Sequence, residues 1–200
     1  MARKFASETL VIASHNPGKI IEMADLLRPM GINVKTAKEM GVSEPEETGT
    51  TFIANAKLKA RTSAIKTQLP AFADDSGLVI PALDGQPGIY SARWGGLERD
   101  FAIAIKRVER ELKARNVPSE GVAAYFVSAL SLFWPDGHSE NFEGEVHGKL
   151  TFPPRGTNGF GYDSIFIPKG GNKTFGQIPK KKKMKIDHRF KAFQKLKKKN

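Results

Sequence analysis

The alternation of apolar and polar positions predicts strands and amphipathic helices that follow one another along the chain. The β-branched run TLVIAS, residues 9–14, indicates a buried strand. From Lys19 to Leu27 the apolar side chains recur at helical spacing, and Pro29 ends this predicted helix. The following run INVKTA predicts a second strand, so the chain begins as a strand–helix–strand unit of the kind found in α/β proteins.

The same pattern predicts further elements up to the C-terminus. A long helix is expected after the acidic loop PEETG, because apolar positions recur at helical spacing from Phe52 to Ser63. The stretch AFADDSGLVI predicts a short strand broken by a polar, glycine-containing turn. The remaining predictions are a Pro/Gly-rich loop at 81–96, an amphipathic helix at 98–115, an antiparallel hairpin of 122–134 and 139–150, a glycine-rich loop running into a strand at 153–167, and a basic amphipathic helix at 187–199.

Composition narrows the classes of protein. A chain of 200 residues that is 40% hydrophobic can bury one core, so we expect a single domain over residues 1–200, with loosely held ends at 1–7 and 197–200. The absence of cysteine excludes disulfides and zinc–thiolate sites and suits a cytoplasmic location. No apolar run is long enough for a membrane span, and the N-terminus lacks the apolar core of a secretory signal.

The net charge of +11 is concentrated at one end of the chain. Residues 180–200 hold eleven of the 32 Lys and Arg residues and one of the 21 acidic residues, so the rest of the chain is almost neutral. Lysines at 180–183 and 197–199 can neutralise nucleic-acid phosphates, which makes a nucleic-acid-binding protein the alternative function. Because the body is neutral, we expect only weak, non-specific contacts of this kind.

The stretch SHNPGK, residues 14–19, links the first predicted strand to the first predicted helix. A helix N-terminus offers free backbone N–H groups and a partial positive charge to an anion, Gly18 permits close approach, and Lys19 adds a charge. The stretch is not a Walker loop, because its first glycine is missing and Ile20 follows the lysine. A phosphate-binding loop and a solvated turn with a surface lysine remain equal interpretations.

Four carboxylates form the next candidate group: Glu46, Glu47, Asp74 and Asp75. We expect the two aspartates at a strand end, where neighbouring side chains point to opposite faces, so that only one faces a given site. Carboxylates of this kind suit Mg²⁺, which uses one or two of them together with substrate phosphate and water. A solvated turn with helix-capping carboxylates is at least as good an interpretation of the same residues.

Two further stretches carry possible ligand contacts. In GTNGFGYD, glycines on both sides of Phe160 leave a ring face on which a planar base can stack, and Asp163 can accept from a base edge. A glycine-rich turn with a core Phe and Tyr is the interpretation that such a stretch ordinarily favours. In KKKKMKIDHRF, the lysines are ordinarily a solvated face and His188 alone is ordinarily structural. No nucleophilic triad and no His/Cys metal motif is present in the sequence.

Taken in order, five stretches resemble the inosine/xanthosine triphosphate pyrophosphatase family: ASHNPGKIIEM, EETGTTFIANAKLKA, ADDSGLVIPALDGQPGIYSARWGG, GTNGFGYDSIFIP and KMKIDHRFKAF. Each motif is weak alone, and the third is the most specific. The resemblance covers residues 9–196 and implies an elongated α/β fold, in which two lobes flank a central cleft on a long curved mixed sheet with helices. It also implies a homodimer.

The implied reaction cleaves a non-standard purine nucleoside triphosphate, such as ITP, dITP or XTP, to its monophosphate and pyrophosphate, with Mg²⁺ as cofactor. The resemblance assigns Glu47 and Asp75 to the metal, and Asp75 also to the general base or water-orienting group. It assigns the remaining positions to the substrate. These are Ser14, His15, Asn16, Pro17, Gly18, Lys19 and Lys59 at the triphosphate, Ser76 at an unspecified contact, and Phe160, Gly161, Tyr162, Asp163, Lys183, His188 and Arg189 at the base.

Four positions depart from the family pattern. Ala54 replaces a glutamate that would lie near Lys59, and we expect this loss of an acid to weaken the metal or water site most. Gln177 replaces a second glutamate, and Ser164 replaces a proline. Asp187 replaces a serine and places an acceptor beside the base-reading pair. A nucleotide-binding homologue with weakened catalysis is therefore a further alternative.

Overall fold

The computed structural model describes residues 9–199, which form six strands and five α-helices. The strands are β1 (Thr9–Ile12), β2 (Asn33–Thr36), β3 (Ala71–Val79), β4 (Ala123–Phe133), β5 (Ser139–Leu150) and β6 (Phe166–Pro168). The helices are α1 (Pro17–Leu27), α2 (Phe52–Thr67), α3 (Phe101–Ala114), α4 (Lys180–Lys183) and α5 (His188–Lys199).

The strands form one mixed sheet in the order β2-β1-β3-β4-β5-β6. Strand β1 pairs in parallel with both β2 and β3, whereas β5 and β6 are antiparallel. Because α1 connects the parallel strands β1 and β2, the predicted strand–helix–strand start is confirmed. The α/β class with a mixed sheet is confirmed as well, and the elongated, two-lobed shape stays a prediction.

The register between β1 and β3 sets the position of the loop that follows β1. Ile12 is paired with Phe72, and the Ala13 N–H donates to the Phe72 carbonyl over 2.8 Å. Ser14 lies two residues after Ile12, and Asp74 lies two residues after Phe72. The loop after β1 therefore begins beside the aspartates of β3.

The chain divides into two compact units, and the first contains the residues up to Asp75, Ser128–Gly144 and the residues from Arg189 onward. Its core lies on both faces of β1. Leu10 and Ile12 join a cluster with residues of α1 and α5, while Val11 and Ala13 join a cluster with alanines of α2. Alternate side chains of a strand point to opposite faces, which explains why TLVIA is apolar throughout.

The second unit contains Ser76–Val127 and Glu145–His188. One cluster forms its core, in which one side of α3 packs with the aromatic rings of Phe126, Phe166 and Phe175. Asp100 caps α3 by accepting from the Ala102 N–H, so the amphipathic helix predicted in this region is confirmed.

The prediction for the AFADDSGLVI stretch was wrong. Strand β3 runs unbroken over nine residues, and Asp74 and Asp75 lie in its middle rather than at an end. Two adjacent carboxylates are expensive to bury without partners, so the polar pattern suggested a turn. In the structure each aspartate has a lysine partner from another element, Lys19 or Lys59, which makes a buried strand possible.

The other predicted elements are confirmed, including the hairpin, whose strands β4 and β5 are neighbours joined by a turn at Trp134–His138. Helix α4 and several short 3-10 turns were not predicted. Of the ends expected to be loosely held, 1–7 and Asn200 lie outside the described residues, and 197–199 belong to α5. Within the described part of the chain, every helix is too short or too polar to cross a membrane.

Candidate active site

The loop of residues 14–19 is organised around the N-terminus of α1. Asn16 is the N-cap, and its side-chain oxygen accepts from the Lys19 N–H over 3.2 Å. The Asn16 N–H in turn donates to the Ser14 hydroxyl, and Pro17 occupies the first helical position, where no N–H is needed. His15 Nε2 lies 3.0 Å from the Val42 carbonyl, so this ring nitrogen donates and fixes the loop on its other side.

Asp74 lies at the centre of a buried ionic network in the first unit. Lys19 Nζ is 2.9 Å from one carboxylate oxygen of Asp74, Arg189 donates to the same oxygen over 3.2 Å, and the Ser128 hydroxyl donates to the other over 2.6 Å. Burial alone would raise the pKa of Asp74, but Arg189 and Lys19 hold it well below its usual range. Arg189 also donates to the buried Glu22.

A second ionic group surrounds Lys59 on α2. Its ammonium lies 2.7 Å from Glu47 and 2.9 Å from Asp75, and its side chain is 7% exposed. Burial alone would lower the pKa of Lys59, but Asp75 and Glu47 raise it above its usual value. Burial raises the pKa of Asp75 despite the nearby Lys59 and Lys19. Lys59 is therefore a charged, internal counter-ion shared by two carboxylates.

Asp74 and Asp75 use different partners, as the alternation along a strand predicted. Asp74 contacts Lys19, whereas Asp75 contacts Lys59 and the amide of Asn55. Ser76, the next residue of β3, is half-buried.

Residues 9–199 contain no group of three or more His, Asp or Glu side chains placed to hold a metal ion by themselves. Glu47 and Asp75 nevertheless contact the same ammonium nitrogen, so their oxygens converge on one small volume that already holds a positive charge. Two carboxylates with the remaining positions left to water and substrate phosphate are the donor set that Mg²⁺ prefers. These two residues therefore fit Mg²⁺ bound together with a phosphorylated ligand.

In the second unit, Asp163 organises the glycine-rich loop. One of its carboxylate oxygens accepts from the Phe160 N–H over 2.9 Å and from Lys183 Nζ over 2.7 Å. The Lys183 ammonium also lies 5.1 Å from the centre of the Phe160 ring, within the range of a cation–π contact. Gly159 has a φ of +74°, and a Cβ there would lie 2.0 Å from the Asp163 carboxylate, so only glycine fits.

Other residues assigned to the base have mainly structural contacts. Tyr162 is buried in the core cluster, donates from its hydroxyl to the Ser91 carbonyl over 2.8 Å and packs edge-on against Phe101. Burial raises the pKa of Tyr162 above its usual range. Gly161 has a φ of +69°, so its backbone takes a conformation that favours glycine.

The last two assigned residues are neighbours in sequence and have separate contacts. The His188 ring stacks on Phe126, with 4.9 Å between the ring centres. Arg189 is 1% exposed, and its guanidinium contacts Glu22 and Asp74 as described above.

The structure thus groups Lys19 with Arg189 around Asp74, Lys59 with Glu47 and Asp75, and Phe160 with Asp163 and Lys183. Three members of the ionic groups were not predicted: Glu22, Asn55 and Ser128. Glu22 contacts Arg189, which is 167 residues away in sequence, so the pattern of α1 held no clue to this contact. Ser128 lies in an apolar strand, and the sequence pattern there gave no indication of its contact with Asp74.

Three of the four departures from the family pattern lie beside a helix end or a capping contact. Ala54 is exposed in the first turn of α2, where its N–H donates to the capping hydroxyl of Thr51. This is the position at which a glutamate would complete a capping box. Gln177 does complete one, because its side-chain oxygen accepts from the Thr174 N–H over 3.0 Å. The Asp187 N–H donates to the Lys183 carbonyl, one residue before α5 begins.

The mixed sheet with its helices defines an α/β protein, and the two lysine–carboxylate groups are its candidate site. Comparison with known sequences is more specific, since the sequence model of the Ham1 family matches residues 10–199. The dITP/XTP pyrophosphatase of Rhodospirillum centenum is 56% identical over 194 residues, which cover 97% of this chain and 95% of the relative. The corresponding pyrophosphatase of Rhodopseudomonas palustris is 53% identical, with 94% of this chain and 93% of the relative covered.

A solved structure of a HAM1 protein from Coxiella burnetii superposes with a TM-score of 0.86 at 37% identity, covering 96% of this chain and 98% of that chain. A second, the Ham1 protein of Staphylococcus aureus, has a TM-score of 0.82 at 36% identity, covering 95% of this chain and 96% of that one. The chain belongs to the Ham1 family. The family predicted from the five sequence stretches is therefore confirmed.

Proposed function

We propose that this protein hydrolyses non-standard purine nucleoside triphosphates, such as dITP, ITP and XTP, to the monophosphate and pyrophosphate. Relatives that are 56% and 53% identical over almost the whole chain are named dITP/XTP pyrophosphatases, which supports this substrate class. The single structural observation that carries the proposal is the Lys59 ammonium, held by Glu47 and Asp75.

This arrangement suits a triphosphate because cations and a metal-binding carboxylate pair come together. Two groups bind the phosphates. The loop from Ser14 to Lys19 contributes the N-terminus of α1 and the Lys19 ammonium, and α2 contributes the Lys59 ammonium. Glu47 and Asp75 hold Mg²⁺. When bound, this ion offsets the negative charge that develops on the phosphate oxygens.

The hydrolysis needs no covalent intermediate with the protein. The oxygen of a water molecule forms a bond to one of the two phosphorus atoms beside the α–β bridging oxygen, and the bond from that phosphorus to the bridge breaks. Asp75 orients this water and accepts its proton.

The group in the second unit supplies base recognition. We propose that the half-buried Phe160 ring stacks on the purine and that Asp163 accepts from its edge, with Gly161 and Tyr162 holding the loop. Lys183 and His188, which belong to the same unit, complete the pocket, and Ser76 contacts the substrate. A donor facing the 6-position favours a carbonyl over an amine, and each buried mismatch costs about 1–3 kcal/mol.

The experiment is a measurement of pyrophosphate release from dITP, XTP, ATP, GTP and dUTP with Mg²⁺. We expect dITP and XTP to be hydrolysed best, and Asp75→Asn to lower kcat on the order of 100-fold or more. Asp84→Asn is the matched control, because Asp84 is an exposed aspartate paired with Arg115, and its activity should equal wild type. Equal pyrophosphate release by wild type and Asp75→Asn would overturn the assignment.

We further propose that residues 1–200 act as one domain in a cytoplasmic homodimer. A family model that matches residues 10–199 without interruption supports the single domain. Light scattering of the purified protein tests the dimer, and cell fractionation tests the location.

A further inference from the structure

Asn55 is the most buried polar residue beside the Lys59 group. It lies in the first turn of α2, where Thr51 is the N-cap, and it is 0% exposed. Its backbone N–H donates to the Thr51 carbonyl in the ordinary helical way. Its side chain therefore serves a purpose other than capping.

One end of the Asn55 amide holds the acidic loop. Its oxygen accepts from the Gly49 N–H over 2.8 Å, and Gly49 follows Glu47 by two residues in this loop. The approach is so close that a Cβ on Gly49 would lie 2.5 Å from that oxygen and 2.8 Å from the Ala54 Cβ. Real Cβ atoms do not approach this closely, so glycine is required at position 49 for the contact.

The other end of the amide faces the carboxylate of β3. Asn55 Nδ2 lies 3.4 Å from Oδ2 of Asp75, while Lys59 takes Oδ1 of the same carboxylate. An amide has one acceptor end and one donor end, and here the Gly49 N–H meets the acceptor while the carboxylate meets the donor. Both contacts agree on one orientation of the amide, and each oxygen of Asp75 has its own donor.

We infer that Asn55 is a positioning residue, which fixes the Asp75 carboxylate relative to the loop that carries Glu47. This inference rests on the proposed hydrolysis, since it concerns how the reacting carboxylate is held. Reacting groups must be placed within a fraction of an ångström for full rates. Loosening this amide therefore lowers the rate of the chemical step without removing any group that contacts the substrate.

Two variants test the inference from both ends of the amide. Asn55→Leu keeps most of the side-chain bulk and removes both polar contacts, while Gly49→Ala forces the loop away and leaves Asp75 itself unchanged. The control is Ser63→Ala, because Ser63 is a buried polar residue about two turns further along α2. For each protein, kcat and KM for dITP are measured, together with thermal unfolding in a titration with MgCl₂ alone.

We expect kcat to fall about tenfold or more in Asn55→Leu and Gly49→Ala, with KM within about threefold of wild type. The MgCl₂ concentration that gives half of the thermal shift should also rise in both. Ser63→Ala should keep the wild-type kcat. If Asn55→Leu keeps wild-type kcat and wild-type response to MgCl₂, the inference is wrong although the hydrolase function stands. A wild-type protein that releases no pyrophosphate from dITP or XTP instead contradicts the proposed function.

Discussion

Replacing Arg189 with methionine gives the sharpest test of the buried network in the first unit. The guanidinium of Arg189 is 1% exposed and contacts Glu22 and Asp74, whose side chains are 6% and 0% exposed. Methionine retains the apolar stem and removes the charge. Both carboxylates then lose a cation, although Lys19 and Ser128 still contact Asp74.

The expected cost follows from the burial of all three groups. Removing one partner of a buried ion pair typically costs about 3–5 kcal/mol, because the remaining charge is left uncompensated in a poorly solvated place. In a chain of this size each kcal/mol lowers Tm by about 2–4 °C, so we expect a decrease of roughly 6–20 °C. Arg115→Met is the control, since Arg115 pairs with Asp84 at the surface and such pairs contribute about 0–1 kcal/mol.

Urea unfolding of both variants, followed by tryptophan fluorescence, measures the difference in the free energy of unfolding. Trp134 is buried in the same cluster as α5 residues, so it reports on the unit that contains Arg189. A triple variant with Glu22→Gln and Asp74→Asn should recover part of the loss, because it removes the uncompensated charges. If Arg189→Met is no less stable than Arg115→Met, the burial argument fails.

Three further predictions concern single positions and the metal. Ala54→Glu should complete the capping box with Thr51 and stabilise the protein by about 0.5–1 kcal/mol in urea unfolding, with kcat within twofold; a fivefold higher kcat would instead support a role in the reaction. Gly159→Ala should raise KM for dITP about tenfold or more, because a Cβ there would displace the Asp163 carboxylate, and an unchanged KM would argue against a role for this loop in binding. EDTA should abolish pyrophosphate release and leave the circular dichroism spectrum unchanged, and retained activity would exclude a metal requirement.

Most secondary structure could be predicted from the sequence because it depends on local periodicity. The alternate burial of β1 and the amphipathic α3 are patterns within a few consecutive residues. The course of β3 could not be predicted in this way. Whether Asp74 and Asp75 sit in a turn or a buried strand depends on Lys19 and Lys59, which are distant in sequence.

In the candidate site, too, contacts between residues that are distant in sequence could not be predicted. Motif resemblance assigned Lys59, Glu47 and Asp75, which the structure brings together, but it gave no role to Asp74, the carboxylate that contacts Lys19. It also assigned Arg189 to the base without indicating that its guanidinium contacts two buried carboxylates. Asn55 lies in the second of the five stretches, but the resemblance assigned no role to it. Its importance comes from two partners, Gly49 and Asp75, that only the folded chain supplies.

The pairing of Ile12 with Phe72 has a consequence for how this chain can change in length. An inserted or deleted residue in β1 would exchange the two core faces of that strand and would also shift Ser14 and Lys19 away from Asp74. An inserted or deleted residue near Gly31, between α1 and β2, would leave the pairing register of both strands unchanged. We therefore expect insertions and deletions among relatives to be frequent at that connection and rare in the segments at 9–19 and 71–75.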